Sequence, residues 1–218
     1  STLLNALTTE QLDELSEVSH IAFAERGETI WLHGQQVDFC GLVGTGFVKM
    51  IKSLSTGTEV TSEIIGPGQL FGLLGSLEGG GCPLSARAVC NTWYLKIPKE
   101  KINSVYDESL VFKDQLLRRT TSRLRQHVDI AAKMSSGRAE QRIALVLFVL
   151  MESFAHESSD GVVIDVPLTR QDIGDMAGTT VETTIRVMSK WQKKSVVSSN
   201  HRVVTVLDED ALSECLNE

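Results

Sequence analysis

No run of apolar residues in this 218-residue chain approaches the length of a membrane span. No charged start followed by a short apolar stretch marks a secretory signal either, so a cytoplasmic protein without a membrane partner is expected. Cysteine is sparse, at Cys40, Cys82, Cys90 and Cys215, and no Cys-x-x-Cys pair occurs. That spacing implies free thiols in a reducing cytosol. Cys40 and Cys90 fall in apolar strand-like runs and are expected in the core, whereas Cys82 borders a glycine run and is expected at the surface. There is no Gly-x-Ser-x-Gly, no phosphate-binding P-loop, no His-Glu-x-x-His and no carboxylate pair in a recognisable cleft, which argues against an enzyme. An excess of positive charge is missing too: the net charge of −7 excludes a protein that coats nucleic acid indiscriminately.

The distribution of charge is more informative than its sum. Residues 1–109 hold seven basic and thirteen acidic side chains, whereas residues 170–202 hold six basic and three acidic ones. A local surplus of +3 thus sits inside an acidic chain, and the acidic front half orients the basic back half toward DNA. Apolar residues make up 42%, which is globular and sufficient for one large or two modest domains.

The basic region contains Leu168-Thr-Arg-Gln-Asp-Ile-Gly-Asp-Met-Ala-Gly-Thr-Thr-Val-Glu-Thr-Thr-Ile-Arg-Val-Met-Ser-Lys-Trp-Gln192. Thr169 is an N-cap for a helix whose apolar face is Ile173, Met176 and Ala177. Gly178 supplies a tight turn where a side chain would crowd two helices. Thr180 caps a second helix, with an expected stripe of Val181, Ile185, Met188 and Trp191 or Gln192. Glu182 and Arg186, four residues apart, project together near its start. A carboxylate there accepts from a cytosine amino group, and a guanidinium donates twice to guanine. Thr169, Arg170, Thr179, Thr180 and Thr183 are placed to bond phosphates around them, with Gln171 and Lys190 as further DNA-binding candidates. The plainer reading of Glu182 and Arg186 is a surface ion pair.

Elsewhere, Thr8 opens a short helix to Ser16 with a capping-box-like Gln11. Short strand-like runs follow, at Ile21–Ala24, Thr29–Leu32, Phe39–Val43, Phe47–Lys52, Glu59–Ile65, Ser85–Cys90 and Trp93–Ile97, with glycine-rich breaks between them. Their spacing predicts an antiparallel barrel or sandwich. A short helix at Pro98–Asp107 precedes a long one from Ser109 to Met134. In the long helix Leu117, Thr121, Leu124, Val128 and Ala131 alternate by four and three, a coiled-coil seam that predicts a homodimer. Ser135-Ser136-Gly137 interrupts it as a hinge. A helix at Arg138–His156 then buries Ile143, Val146, Leu147, Leu150 and Met151, with a strand at Val162–Val166. Last comes a hairpin of Val196-Val197 and Val203–Leu207 about the turn Ser198–His201, the wing of a winged helix-turn-helix.

This order resembles the CRP/FNR family of bacterial transcription regulators. The similarity rests on Thr169-Arg170-Gln171, Ile173-Gly174, Gly178, Glu182-Thr183 and Arg186, and it spans nearly the whole chain. The resemblance implies an α+β chain: a β-roll sensor domain over 1–108, a dimerisation helix and hinge over 109–136, and a winged helix-turn-helix over 137–218. It implies base reading by Glu182 and Arg186, double-stranded DNA and a second copy of the chain as partners, and contact with RNA polymerase. Val181 stands where the cyclic-AMP receptor branch has an arginine and matches the FNR branch, which implies an inverted repeat with TTGA in each half-site. Ile185 replaces that branch's serine and leaves the outermost base open.

The family's cyclic-nucleotide cassette uses a Gly-Glu for the ribose and an Arg-Ser for the phosphate. Here the stretch is Phe71-Gly72-Leu73-Leu74-Gly75, then Gly79-Gly80-Gly81-Cys82-Pro83-Leu84-Ser85-Ala86. Leu73 replaces the glutamate and no Arg-Ser pair follows, which argues against cyclic AMP. The span Ser1 to Val18 has no cysteine, which argues against an iron–sulfur cluster. Haem is left open, with His20, His33, His127 and Cys82 as candidate ligands. The alternatives are no ligand at all or an apolar or organic-acid effector, which would be lined by Gly72, Leu73, Leu84, Ser85, Arg123 and His127. The other readings left open are a haem-based gas sensor and, in a different class, a nucleotide-binding module that does not touch DNA.

Overall fold

Thr8 folds back on the first helix, α1 (Thr9–Val18). Its hydroxyl accepts from the Gln11 amide at 3.2 Å, and Gln11 Oε1 accepts from the Thr8 amide at 3.1 Å, closing the expected capping box. The computed structural model describes residues 3–73, 75 and 81–217. Leu74, Gly79 and Gly80 of the cassette stretch lie outside the described residues. The chain divides into two units, Ser1–Gln126 and His127–Glu218.

In the first unit the expected strands form as β1 (His20–Ala24), β2 (Thr29–Trp31), β3 (Phe39–Thr45), β4 (Val48–Ser53) and β5 (Glu59–Ile65). They are joined by a two-residue β6 (Leu70–Phe71), then β7 (Ser85–Ala88) and β8 (Thr92–Pro98). Two antiparallel sheets result, in the orders β1-β8-β3-β6 and β2-β7-β4-β5. Cys90, expected in a strand and buried, instead sits half-exposed on a bend beyond β7. Pairing with β4 ends at Ala88, and the Val89 amide donates to the Phe47 carbonyl at 2.8 Å.

Alternation along the strands sorts side chains into two cores. Between the sheets lie Trp31, Val43, Val48, Met50, Ile65, Phe71 and Tyr94, with Cys82 among them. The other core gathers Leu7, Leu15, Cys40, Leu70, Leu73 and Ile97 with the helices α2 (Lys99–Glu108) and α3 (Leu110–Ser136), through Ile102, Val105, Phe112 and Leu116. Cys82, expected at the surface, is therefore buried, and so is Cys40. Burial pushes the Cys40 thiol up to about 12 and raises that of Cys82, which favours the protonated form of both.

In the second unit the long helix runs two residues further than expected before it breaks. α3 runs through Ser136, and the Gly137 amide still donates to the Lys133 carbonyl at 3.1 Å. A Cβ on Gly137 would stand 2.9 Å from that carbonyl, so the helix closes on a residue without one. Arg138 is extended and caps α4 (Ala139–Phe154). Ile143, Ala144, Leu145, Val146, Leu147 and Leu150 of α4 are buried, while Met151 is only half-buried. The helix stops at Phe154, short of His156, because Ala155–Ser158 forms strand β9 paired to β10 (Gly161–Ile164). Next come α5 (Arg170–Ala177), α6 (Val181–Lys193), β11 (Val197–Asn200), β12 (Val203–Val206) and a last helix, α7 (Glu209–Asn217). The strands form one sheet in the order β11-β12-β10-β9.

Candidate nucleic-acid interface

Capping chemistry sets the angle between α5 and α6. Thr169 accepts from the Asp172 amide at 3.1 Å, and the Asp172 carboxylate accepts from the Thr169 amide at 2.9 Å. Gly178 ends α5 in the left-handed region at φ 58°, with its N–H bonded to the Gly174 carbonyl. A Cβ on Gly178 would meet nothing within 4 Å, so the residue is there for its backbone and not to avoid crowding. The crowded glycine is Gly174: a Cβ there would stand 3.0 Å from Thr184 Oγ1 and 3.1 Å from the Thr179 carbonyl. Thr180 caps α6, accepting from the Thr183 amide at 3.3 Å.

The buried stripe of α6 is Thr184, Val187, Met188 and Trp191. The expected stripe had the wrong phase: Val181 is half-buried, Ile185 is 48% exposed and Gln192 is exposed. Thr184 can be buried because its hydroxyl donates to the Thr180 carbonyl at 3.0 Å. With that face turned inward, Glu182 and Arg186 are both exposed, and no hydrogen bond or ion pair joins them among the described residues. Their guanidinium and carboxylate are open to an outside partner. Thr179 and Thr183 are half-buried beside them, Thr180 and Gln171 are exposed, and Arg170 is half-buried at the start of α5. Burial lowers the pKa of Arg170, which nonetheless stays charged at neutral pH. Lys190 lies one turn beyond Arg186, but its ammonium bonds the Glu140 carboxylate at 2.8 and 3.0 Å, which also accepts from the Trp191 indole at 3.0 Å.

Periodicity had no means of finding two polar residues on apolar α4. Glu140 is one. The other is Arg142, which donates to the Gly178 carbonyl at 3.2 Å and to the Gly137 carbonyl at 3.5 Å. It ties the close of α3 to the turn between α5 and α6. At the wing, β11 and β12 are joined by His201 and Arg202 alone, with φ of 47° and 72°. The expected turn at Ser198–His201 is thus a tighter two-residue turn that presents Arg202 at its tip.

Between the roll sheets is a cavity of about 100 Å³, walled mainly by Trp31, Met50, Ile65, Phe71 and Leu84. Of the expected effector residues Gly72, Leu84 and Arg123 line it. Leu73 turns into the other core, Ser85 is buried with its hydroxyl accepting from the His33 amide at 2.9 Å, and His127 is exposed. Arg123 pairs with Glu63 of β5. Arg87 makes a two-point pair with Glu59 at 2.8 and 2.9 Å and is not part of the cavity wall. A cyclic nucleotide does not fit these residues: stacked Trp31 and Phe71 fill the interior, and among the described residues the one cation lining the cavity, Arg123, is paired with Glu63. Of the expected haem ligands, Cys82 lines the cavity, whereas His20, His33 and His127 do not. Cys40 and Cys82 lie in different cores, and among the described residues no group of three His, Cys, Asp or Glu is placed to hold a metal ion. No helix among them is long and apolar enough to cross a membrane.

A two-sheet roll, a long helix and a winged helix-turn-helix with an open reading face define a DNA-binding regulator of transcription. The comparisons agree. Residues 141–215 match the Crp-like helix-turn-helix domain and residues 22–109 the cyclic nucleotide-binding domain. The chain is 26% identical over 204 residues to the transcriptional activator protein anr of Pseudomonas aeruginosa, covering 93% of this chain and 83% of that protein. It is 24% identical over 211 residues to the fumarate and nitrate reduction regulatory protein of Escherichia coli K12, covering 97% and 83%. The solved structure of FixK2 from Bradyrhizobium japonicum superposes with a TM-score of 0.79 at 23% identity, covering 91% of this chain and 97% of that one. The chain belongs to the CRP/FNR family of transcription regulators, and it is not an enzyme.

Proposed function

We propose that the chain acts as a homodimer on an FNR-like inverted repeat, with Glu182 and Arg186 of each copy reading base edges in the major groove. The observation that carries this reading is the pair itself, exposed and unpaired on the first turns of α6. Thr169, Arg170, Gln171, Thr179, Thr180 and Thr183 contact phosphates around it. Val181 meets a thymine methyl, and Arg202 at the wing tip adds a phosphate contact. Lys190 chiefly holds α6 to α4 through Glu140. The seam supports pairing: Leu117, Leu124 and Val128 are 66%, 62% and 59% exposed on one stripe of α3, with Thr121 and Ala131 exposed between them.

Control enters through the roll. A small apolar or organic-acid effector suits the apolar cavity closed by the Glu63–Arg123 pair. Its binding re-registers the paired long helices, and the break at Gly137 lets the readers change orientation. RNA polymerase is the partner that reads the outcome.

The test is a Glu182→Ala, Arg186→Ala double variant, assayed on a duplex with the TTGA repeat and by sedimentation. Specific binding is expected to vanish while the dimer persists. Retained specific binding would overturn the assignment of α6 as the reader.

A further inference from the structure

Helix α3 has a second face. With 100° per residue, Gln115, Arg119 and Ser122 stand about 140–200° away from the Leu117–Ala131 seam. On that face a cleft of about 340 Å³ is lined by Leu3, Gln115, Arg118, Arg119, Ser122 and Arg123. Its size falls in the ~300–1,000 Å³ range of small-molecule sites. A second copy packed on the seam leaves this face uncovered.

Three guanidiniums converge here, and two are already engaged. Arg118 bonds Asp114 one turn back at 2.7 Å, and Arg123 pairs with Glu63. Arg119 has no hydrogen bond or ion pair among the described residues, although it is half-buried. Burial, and then the neighbouring Arg123, lower its pKa, with Glu63 acting the other way. A guanidinium stays charged at neutral pH, so this one is partly desolvated, and the carboxylate that acts on it, Glu63, is bonded to Arg123. The exposed Ser122 hydroxyl and Gln115 amide offer neutral donors on the same face, and Leu3 gives an apolar wall.

We propose that this cleft binds a small anion through its phosphoryl or carboxylate oxygens, with Arg119 as the main contact and Ser122 and Gln115 beside it. The site differs from the roll cavity, with which it shares only Arg123. Planar, forked donors suit such oxygens.

The experiment titrates the full chain with sodium pyrophosphate and with sodium citrate, following melting temperature and heat of binding against sodium chloride of equal ionic strength. A saturable rise with either anion is expected, and the anion that produces it fixes the ligand class. Arg119→Gln should weaken binding about tenfold or more, the loss of a charge-assisted contact. Arg26→Gln, which removes an exposed arginine elsewhere on this unit, should leave it unchanged. Should Arg119→Gln fail to fold, Ser122→Glu places a carboxylate in the cleft and should abolish the rise. No rise beyond chloride, or binding that survives in the Arg119 or Ser122 variant, would overturn the proposal.

Discussion

The indole of Trp31 lies against the ring of Phe71, with centroids 5.1 Å apart and planes 18° from parallel. Gly72, at φ +80°, follows directly, and a Cβ on it would come within 2.8 Å of that indole. The stack occupies the interior of the roll and keeps the cavity small. Trp31→Ala should destabilise the chain by about 3–5 kcal/mol, the range for removing a buried aromatic. It should also create a dry space that a small aromatic solute refills with a rise in melting temperature. Unchanged denaturation would mean that the indole is not a core element.

At the other end of the chain α5 and α6 approach closely at Gly174. Gly174→Ala drives a methyl against Thr184 Oγ1 and the Thr179 carbonyl, neither of which is the free end of a long side chain. A loss of about 1–3 kcal/mol in urea unfolding is expected, with a further loss of DNA affinity because the α6 angle shifts. Stability equal to wild type would show that the two helices separate without strain.

A third prediction concerns acid. Glu59 titrates below its ordinary 4.5, first because Arg87 hydrogen-bonds its carboxylate. The folded state therefore binds this proton more weakly than the unfolded chain does. The stabilisation is complete above pH 4.5 and disappears as pH falls through the folded-state value. Both side chains are partly exposed, which holds the effect under about 1 kcal/mol. The melting difference between wild type and Glu59→Gln should be present at neutral pH and shrink as the pH is lowered below 4.5. Curves that stay parallel would remove the pair from the acid response.

Leu124, 62% exposed at the middle of the seam, is the position to break pairing without touching a core. Leu124→Asp should give a monomer by sedimentation, with melting of the isolated chain little changed and binding to the inverted repeat reduced about 100-fold or more, since one half-site alone is then held. A dimer that persists would place the interface elsewhere.

Much of this was legible from residues alone, and the exceptions share a cause. Thr169, Gly178 and Thr180 announce the reader because capping is a local interaction within three residues. The strand runs announce the roll because alternation and glycine turns are local too. The stripe of α6 escapes periodicity because Thr184 counts as polar until its hydroxyl finds the Thr180 carbonyl. β9 looks like the end of a helix in the sequence because only pairing with β10 pulls Ala155–Ser158 straight. Arg123 with Glu63, Arg142 with Gly178 and Lys190 with Glu140 join residues 60, 36 and 50 positions apart, beyond the reach of any periodic pattern.

The sheet of the reading domain ends in β11 on one side and β9 on the other, each four residues long. Ser198, Ser199 and Asn200 fill most of the first rim, and His156, Glu157 and Ser158 most of the second. Such short polar rims offer too few free amides and carbonyls, and too little apolar surface, for a foreign strand to add on. The edge strands of this domain can therefore lie open without offering another chain a template to extend.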